Sequence, residues 1–263
     1  MPETAPSLPP GPPSARRSLK PRGRLLAQPG PGDWVAVGDH WVDRLRRWAA
    51  LAADEQVLEV GCGPGRSALA LSDFLADGGS YDGIDVDKRV IRWCRRHVEP
   101  KWPAGHFTHV DVWNGVYNKR GRIRPDRFEF PFADETFDVV FATSVFTHML
   151  DDDVRRYIRE VQRVLRPGGR SLCTFFVIGD SARAAPAGDW DIAFTPAAAP
   201  PGCWLLNHDA PEKAVAYDED VIRGWYAEAG LVLDEPIRWG EWIRPGGGES
   251  YDYQDTVIAR RPA

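Results

Sequence analysis

Strand patterns and helix patterns alternate along most of this chain, and their order limits its possible folds more than any other feature. Short apolar runs predict strands, and apolar residues at helical spacing predict the amphipathic helices between them. The predicted strands cover residues 56–61, 81–85, 106–111, 137–144, 170–178, 231–239 and 251–259, and the predicted helices cover 39–51, 66–75, 88–98, 151–165 and 218–230. This order predicts an α/β fold with a doubly wound, mostly parallel sheet covered by helices on both faces. Such a sheet binds its ligand at the carboxyl ends of the strands.

The first 32 residues differ in composition from the rest of the chain. They contain nine prolines, five basic residues and a single acidic residue. Because the segment has so few large apolar side chains, it buries too little surface to offset the entropy of ordering, and we expect a solvated tail. The alternative is a basic tether for an acidic partner. Residues 33–263 are expected to form one domain, with residues 112–130 and 180–215 as loops or an insertion on the substrate side.

Composition and charge exclude several classes of function. The 263 residues are 43% hydrophobic and 27% charged, as in a soluble globular protein. No apolar run approaches the roughly 20 residues that cross a bilayer, and a net charge of −5 does not attract nucleic acid. The four cysteines stand far apart without a CxxC pair, which argues against a zinc site and favours buried thiols in a reducing compartment. We therefore expect a cytoplasmic protein with no membrane span, no nucleic-acid partner and no metal.

A glycine-rich loop after the first predicted strand carries the most specific chemical signal. Gly61, Gly63 and Gly65 have the spacing Gly-x-Gly-x-Gly. This spacing differs from the Gly-x-Gly-x-x-Gly of dinucleotide sites and disfavours a nicotinamide-dependent oxidoreductase. Glu59 precedes the loop, where a carboxylate opposes a pyrophosphate and suits an ammonium group. Asp85 ends the next strand, where a carboxylate can bind the hydroxyls of an adenosine ribose, so the ligand has an adenosine and an amino-acid end without phosphate.

Four stretches of the chain resemble the class I S-adenosylmethionine-dependent methyltransferases. They are VLEVGCGPGR (57–66), YDGIDVD (81–87), FPFADETFDVVFATSVFTHM (130–149) and RVLRPGGR (163–170). The resemblance implies a Rossmann-like sheet of seven strands with a reversed last hairpin, S-adenosylmethionine as cofactor and S-adenosylhomocysteine as product. The segment SVFTHM and its flanking segments resemble a bacterial subgroup associated with glycan and natural-product methylation.

The resemblance also implies a set of cofactor-binding residues. These are Glu59, Gly61, Cys62, Gly63 and Gly65 around the methionine end, Asp85 at the ribose, Val86, Asp111 and Val112 at the adenine, and Thr143 and Ser144, whose backbone would contact the methionine ammonium. The chain departs from the family pattern in one place, because the link from residue 112 to residue 130 is unusually long. Long loops inside compact domains are usually functional or disordered, so we expect this link to contact the acceptor.

The base that activates the acceptor is expected just after the fourth predicted strand. Methyl transfer from a sulfonium is an in-line displacement, and a hydroxyl acceptor must lose its proton as the new bond forms. His148 is the candidate general base, and its alternative role is to cap or pack beneath the following helix. Aromatic, amide and guanidinium side chains of the 112–130 link suit stacking and hydrogen bonding to a polar ring: Trp113, Tyr117, Asn118 and Arg120.

A second wall for the acceptor is predicted in the later insertion. It carries the aromatic residues Trp190, Phe194 and Trp204. The alternative for both loops is surface decoration without substrate contact.

Together these features predict an O-methyltransferase for a small polar acceptor, a saccharide or a glycosylated natural product. The Asn-Pro-Pro-Tyr element of enzymes that methylate planar amino groups is missing after the fourth strand, which weighs against a DNA or release-factor substrate. Two alternatives stay open. One is a methyltransferase of a nitrogen or carboxylate acceptor, and the other is a cofactor-binding scaffold or cyclase that transfers no methyl group.

Overall fold

The computed structural model describes residues 19–23, 25, 32–184, 191–243 and 252–263. The chain divides into two compact units, residues 1–109 and residues 110–263. The first unit contains the helices α1 (Trp34–Trp48), α2 (Arg66–Phe74) and α3 (Lys88–His97), the strands β1 (Gln56–Val60), β2 (Ser80–Asp85) and β3 (Gly105–His109), and a short 3-10 helix, Glu99–Lys101. The predicted basic tail lies almost entirely outside the described residues.

The second unit contains a larger number of strands. They are β4 (Phe137–Ala142), β5 (Leu165–Phe175), β6 (Val177–Ile178), β7 (Thr195–Pro196), β8 (Cys203–Leu205), β9 (Val215–Asp218), β10 (Val232–Leu233) and β11 (Asp255–Arg260). Its helices are α4 (Asp151–Val164), α5 (Asp180–Ala184) and α6 (Glu219–Glu228), with 3-10 helices at Pro125–Arg127, Phe146–His148 and Pro211–Lys213.

A sheet of seven strands, mostly parallel, contains β1 to β5 together with β10 and β11. In the first unit β1, β2 and β3 pair in parallel in that order. In the second unit β4 pairs in parallel with β5, whereas β11 runs antiparallel to both β5 and β10. This arrangement confirms the predicted Rossmann-like α/β fold and the reversed end of the sheet.

Local signals explain where the helices of the first unit begin. The carboxylate of Asp33 accepts hydrogen bonds from the backbone N–H of Val35 and Ala36 at 3.0 and 2.9 Å, so α1 starts at Trp34, five residues before its predicted start. Asp87 caps α3 in the same way. The other predicted helices agree with the structure to within a few residues.

Residues 167–169, which follow the end of α4, lie inside β5. Phe137 pairs with Leu165 and Val139 pairs with Arg170, so the intervening part of β5 forms a wide bulge. The bulge is held by the end of the chain, since Gly168 N–H donates to the Arg261 carbonyl at 3.0 Å and Arg261 N–H donates to the Gly169 carbonyl at 2.9 Å. The predicted strand 170–178 is divided at Phe176, and its last part is the separate strand β6.

A second sheet of four strands, ordered β6-β9-β8-β7, belongs to the second unit. The predicted insertion supplies two of these strands, β7 and β8. Phe194 of this segment is buried in a cluster with Phe176 and Trp242, so this part of the segment belongs to the core. Trp190 lies outside the described residues.

The last two predicted strands are shorter than expected. Of residues 231–239 only Val232–Leu233 form a strand, because Pro236 has no N–H to continue the pairing and the chain rejoins the sheet through a single bridge between Arg238 and Thr256. The strand predicted over residues 251–259 begins at Asp255, and residue 251 lies outside the described residues.

All four cysteines are buried and unpaired, as the sequence predicts. Among the described residues, the helices are too short or too polar to cross a bilayer.

Candidate active site

The glycine loop joins β1 to α2 through a turn that needs glycine. Gly61, Gly63 and Gly65 have φ angles of +75°, +51° and +80°, in the left-handed region that other residues rarely adopt. A Cβ added to Gly63 would meet no atom within 4 Å, so this part of the loop faces open space. A ligand can therefore approach the backbone of the loop closely.

Glu59, at the end of β1, is buried and held by a tyrosine that sequence reasoning missed. The hydroxyl of Tyr81 donates a hydrogen bond to Glu59 Oε2 at 2.6 Å. The register explains this contact, because Glu59 pairs with Gly83 and Tyr81 lies two residues away on the same face of β2. A Cβ at Gly83 would lie 2.7 Å from the Tyr81 hydroxyl, so glycine leaves the space that this hydroxyl occupies.

Asp85, at the end of β2, contacts the glycine loop directly. Its Oδ2 accepts a hydrogen bond from Gly63 N–H at 2.8 Å, and its Oδ1 accepts one from Asp87 N–H at 2.7 Å. The structure thus brings together the loop and the carboxylate that the sequence placed in one site. Val86 follows directly and is half-buried, and Cys62 is buried in the loop.

The electrostatics of these two carboxyl groups suit a cationic ligand. Burial raises the pKa of Glu59 to about 8, although the hydrogen bonds from Tyr81 and Ser67 and the positive charge of Arg66 act in the opposite direction. Burial also raises the pKa of Asp85 to about 6, against the hydrogen bonds from the backbone of Asp87 and Gly63. A positive charge close to these groups would favour their ionised forms. This part of the protein therefore favours a cationic ligand over an anionic one.

Some residues of the second unit that were predicted to contact the adenine or the ammonium group already form hydrogen bonds with other residues. The carboxylate of Asp111 accepts a hydrogen bond from Arg122 Nε at 2.6 Å, and Val112 is buried. Thr143 and Ser144 follow β4, and Ser144 has a φ of +55°. The N–H of Ser144 donates to Thr174 Oγ1 at 2.8 Å, which holds this strained residue in place.

His148 ends the 3-10 helix Phe146–His148 and is positioned through both ring nitrogens. Nδ1 lies 3.0 Å from the backbone carbonyl oxygen of Glu212, and a carbonyl can only accept, so Nδ1 carries the hydrogen. Nε2 then presents its lone pair and lies 3.3 Å from the hydroxyl of Tyr117. Burial lowers the pKa of His148, against the hydrogen bonds to the backbone of Glu212 and Lys213. At neutral pH the imidazole is uncharged and Nε2 can accept a proton.

Asn114 joins His148 to the loop that carries Tyr117, and sequence reasoning gave it no particular role. Its Nδ2 donates to the His148 carbonyl at 3.0 Å, and its Oδ1 accepts from the N–H groups of Val116 and Tyr117, both at 2.9 Å. The backbone groups of Asn114 and Asn118 also bond to each other in both directions at 3.1 Å. One amide thus holds the backbone of both Tyr117 and His148.

The remaining predicted acceptor contacts are divided between exposed and packed positions. Trp113 and Tyr117 are 39% and 41% exposed, and Arg120 is exposed. Asn118 Nδ2 instead donates to the Val112 carbonyl at 2.9 Å within its own loop. In the predicted second wall, Trp204 Nε1 donates to Asp218 Oδ1 at 2.8 Å. Phe194 is buried in the core, as described above, and is not available as a wall.

Comparison with known proteins shows what part of the chain is similar to. Residues 58–173 match the family described as "Methyltransferase domain". O-methyltransferase cnsE of Penicillium expansum is 32% identical over 140 residues, which are 51% of this chain and 42% of that protein. Methyltransferase GfsG of Streptomyces halstedii is 29% identical over 54% of this chain and 45% of its own length. The chain thus spans about half the length of the curated relatives it matches.

Solved structures share the fold at lower sequence identity. A SAM-dependent methyltransferase from Aquifex aeolicus gives a TM-score of 0.52 at 16% identity, covering 83% of this chain and 88% of that one. The [4+2]-cyclase SpnF gives a TM-score of 0.57 at 17% identity, covering 89% and 84%. Residues 58–173 are thus similar to the methyltransferase-domain family, and the sheet of seven strands has the Rossmann-like fold of SAM-dependent methyltransferase structures. This family and this fold imply S-adenosylmethionine as the cofactor.

Proposed function

We propose that this protein transfers the methyl group of S-adenosylmethionine to a hydroxyl of a small polar acceptor, a saccharide or a glycosylated natural product. The observation that carries this proposal is the state of His148. Its Nδ1–H is bound to the Glu212 carbonyl, so the opposite nitrogen is a base, and burial keeps the ring neutral. A hydroxyl acceptor needs such a base, because its proton must leave as the carbon–oxygen bond forms.

The residues of the first unit would hold the cofactor. When bound, S-adenosylmethionine supplies a methyl group on a positively charged sulfur. Asp85 would accept hydrogen bonds from the ribose hydroxyls, and Glu59 would attract the positive charge at the methionine end. The glycine loop would let these groups approach the backbone without a side chain in between. Their common contribution is alignment and exclusion of water, which can supply several kcal/mol to a displacement of this kind.

The loop at residues 112–123 supports a polar ring as acceptor. Exposed aromatic side chains can stack on a sugar ring, and the guanidinium of Arg120 can donate hydrogen bonds to its oxygens. The name of one relative, O-methyltransferase cnsE, also supports transfer to oxygen. Other relatives have different acceptors in their names, among them 2-phytyl-1,4-naphtoquinone methyltransferase of Nostoc punctiforme. The acceptor panel must therefore extend beyond sugars.

Incubation with methyl-labelled cofactor and a panel of acceptors tests the proposal. The panel should contain sugars, glycosides and phenols, with matched amines and carboxylic acids. We expect label in an ether, which survives the mild base that hydrolyses a methyl ester. Label only in an amine or a carboxylate would show that the acceptor atom is not a hydroxyl oxygen. Calorimetric binding of the cofactor without any methylated product would favour the non-transferring scaffold or cyclase, a role for which SpnF shows that the fold is suited.

The variant His148→Ala tests the base within the same assay. We expect transfer to fall about 100-fold, the size typical of a lost general base, with cofactor affinity unchanged. His208→Ala is the matched control, because His208 is exposed and bonds to Thr195 in another part of the second unit. A fully active His148→Ala variant would remove His148 as the base.

A further inference from the structure

The nitrogen of His148 that would act as the base is already in contact with Tyr117. The distance between Tyr117 Oη and His148 Nε2 is 3.3 Å, and the two rings meet edge to face with centroids 5.2 Å apart. The other ring nitrogen is bound to the Glu212 carbonyl. An acceptor hydroxyl can therefore reach the base in two ways, by displacing Tyr117 or by passing its proton through the Tyr117 hydroxyl.

The backbone contacts of Tyr117 favour the second way. Asn114 Oδ1 binds the N–H of Tyr117 while Asn114 Nδ2 binds the carbonyl of His148, so the two residues are held to the same side chain. The turn is closed on its far side by the paired backbone groups of Asn114 and Asn118. These bonds hold the backbone from which the Tyr117 side chain reaches His148. Displacing Tyr117 requires its side chain to rotate and give up the contact with Nε2, whereas the relay needs no movement.

Tyr117 is more exposed to solvent than the base it contacts. Tyr117 is 41% exposed, whereas His148, against which its hydroxyl lies, is half-buried. A phenol hydroxyl can donate one hydrogen bond and accept another at the same time. Tyr117 thus has the chemistry to connect an acceptor in solvent with a base that is sheltered from solvent.

We propose that Tyr117 relays the acceptor's proton to His148, a role that rests on the function proposed above. The acceptor hydroxyl gives its proton to Tyr117 Oη as Tyr117 gives its own proton to His148 Nε2. In the same step the acceptor oxygen bonds to the methyl carbon, and the carbon–sulfur bond breaks with its electron pair left on sulfur. The products are a methyl ether, a neutral thioether, unchanged Tyr117 and protonated His148, so atoms and charge balance.

Tyr117→Phe tests the relay, because it removes the hydroxyl and keeps the ring. We expect kcat to fall about 100-fold with KM and cofactor affinity nearly unchanged, since stacking on the acceptor is retained. The double variant with His148→Ala should be no slower than His148→Ala alone, because both residues act on one proton. Tyr253→Phe is the matched control, since Tyr253 is also exposed but packs against Phe176.

Nitrogen NMR of the protein without cofactor or acceptor tests the contact between Tyr117 and His148 independently of the methyl-transfer reaction. In 15N-histidine-labelled protein, His148 should show a protonated Nδ1 and an unprotonated Nε2. Tyr117→Phe should move the Nε2 resonance to higher frequency, as expected when a hydrogen bond to it is lost, and Tyr253→Phe should not.

Three outcomes would contradict the relay, and they can be told apart. An Nε2 resonance that ignores Tyr117→Phe shows that the contact is missing in solution. Undiminished kcat in Tyr117→Phe shows that His148 takes the proton directly. This result overturns the relay but leaves the proposed function standing. No transfer to any hydroxyl by the wild-type protein overturns the proposed function and the relay with it.

Discussion

The hydroxyl of Tyr81 on β2 donates a 2.6 Å hydrogen bond to Glu59 on β1, so two parallel strands share one buried polar contact beneath the glycine loop. Both side chains are almost fully buried, Tyr81 at 0% and Glu59 at 3% exposure. The bond favours the ionised form of Glu59, which is the form that attracts a cation, and it lowers the pKa that burial raises.

Tyr81→Phe should therefore weaken cofactor binding. Without the hydroxyl, the pKa of Glu59 rises further, and we expect affinity to fall on the order of tenfold, equivalent to about 1.4 kcal/mol. Tyr217→Phe is the matched control, because its buried hydroxyl donates to the Met149 carbonyl at 2.8 Å within the second unit. Isothermal titration measures both variants. Equal losses of affinity in Tyr81→Phe and Tyr217→Phe would show that the Tyr81 hydroxyl stabilises the fold without a specific effect on the cofactor.

Asp85→Asn should weaken cofactor binding more strongly. The substitution removes the charge that would bind the ribose hydroxyls, and each charge-assisted hydrogen bond contributes about 1.5–3 kcal/mol. We expect the dissociation constant to rise about 100-fold, measured by the same titration. Asp82→Asn, on the same strand, is the control for folding and should bind normally. Unchanged affinity in Asp85→Asn would mean that the ribose lies elsewhere.

Cofactor binding should release protons at neutral pH. In the cofactor-free protein burial raises the pKa of Glu59 to about 8 and that of Asp85 to about 6. A bound cation favours the carboxylates, so the complex holds fewer protons than the free protein and binding tightens as pH rises from about 6 to about 8. Titration at pH 7 in buffers with different ionisation heats measures the release. Glu59→Gln should remove most of it, and proton uptake by the wild type would contradict the assignment.

The acid limb of the pH–rate profile should lie below the ordinary range of histidine. Only neutral His148 can accept a proton, and burial lowers its pKa from 6.5, so the midpoint of the acid limb of kcat should lie below pH 6.5. The groups packed against His148 are Tyr117 from the loop, and Glu212 and Lys213 from the segment behind it. A measured kcat profile tests this. A limb above pH 6.5 would point to a different base or to a charged environment around the ring.

Asn114→Ala should lower turnover through the position of Tyr117. The variant loses the hydrogen bond that joins the loop to the His148 carbonyl and two that hold the backbone of Val116 and Tyr117 within the loop. We expect kcat to fall about tenfold with cofactor affinity retained. Asn207→Ala is a close control, because Asn207 Oδ1 caps an equivalent turn through Asp209 and Ala210 N–H. Steady-state kinetics of both variants decides the matter. Equal kcat in the two would leave Asn114 a turn residue without influence on the reaction.

The order of strands and helices and the glycine loop could be predicted because each depends on neighbouring residues. Apolar spacing decides which segments pair into a sheet, and the carboxyl ends of parallel strands meet at one edge. Asp85 and Gly63 were therefore expected together, and they share a hydrogen bond. The bulge at Gly168 could not be predicted in this way, because its partner is Arg261 at the far end of the chain.

The sequence by itself determined the class of fold, the turn that needs glycine at Gly63, and the candidates Glu59, Asp85 and His148. Only the tertiary structure decided which atoms of these residues have partners. Tyr117 and His148 are 31 residues apart and His148 and Glu212 are 64 apart, and no local preference sets such pairs. They form because the folded backbone brings separate loops within hydrogen-bond distance, where buried polar groups must find partners.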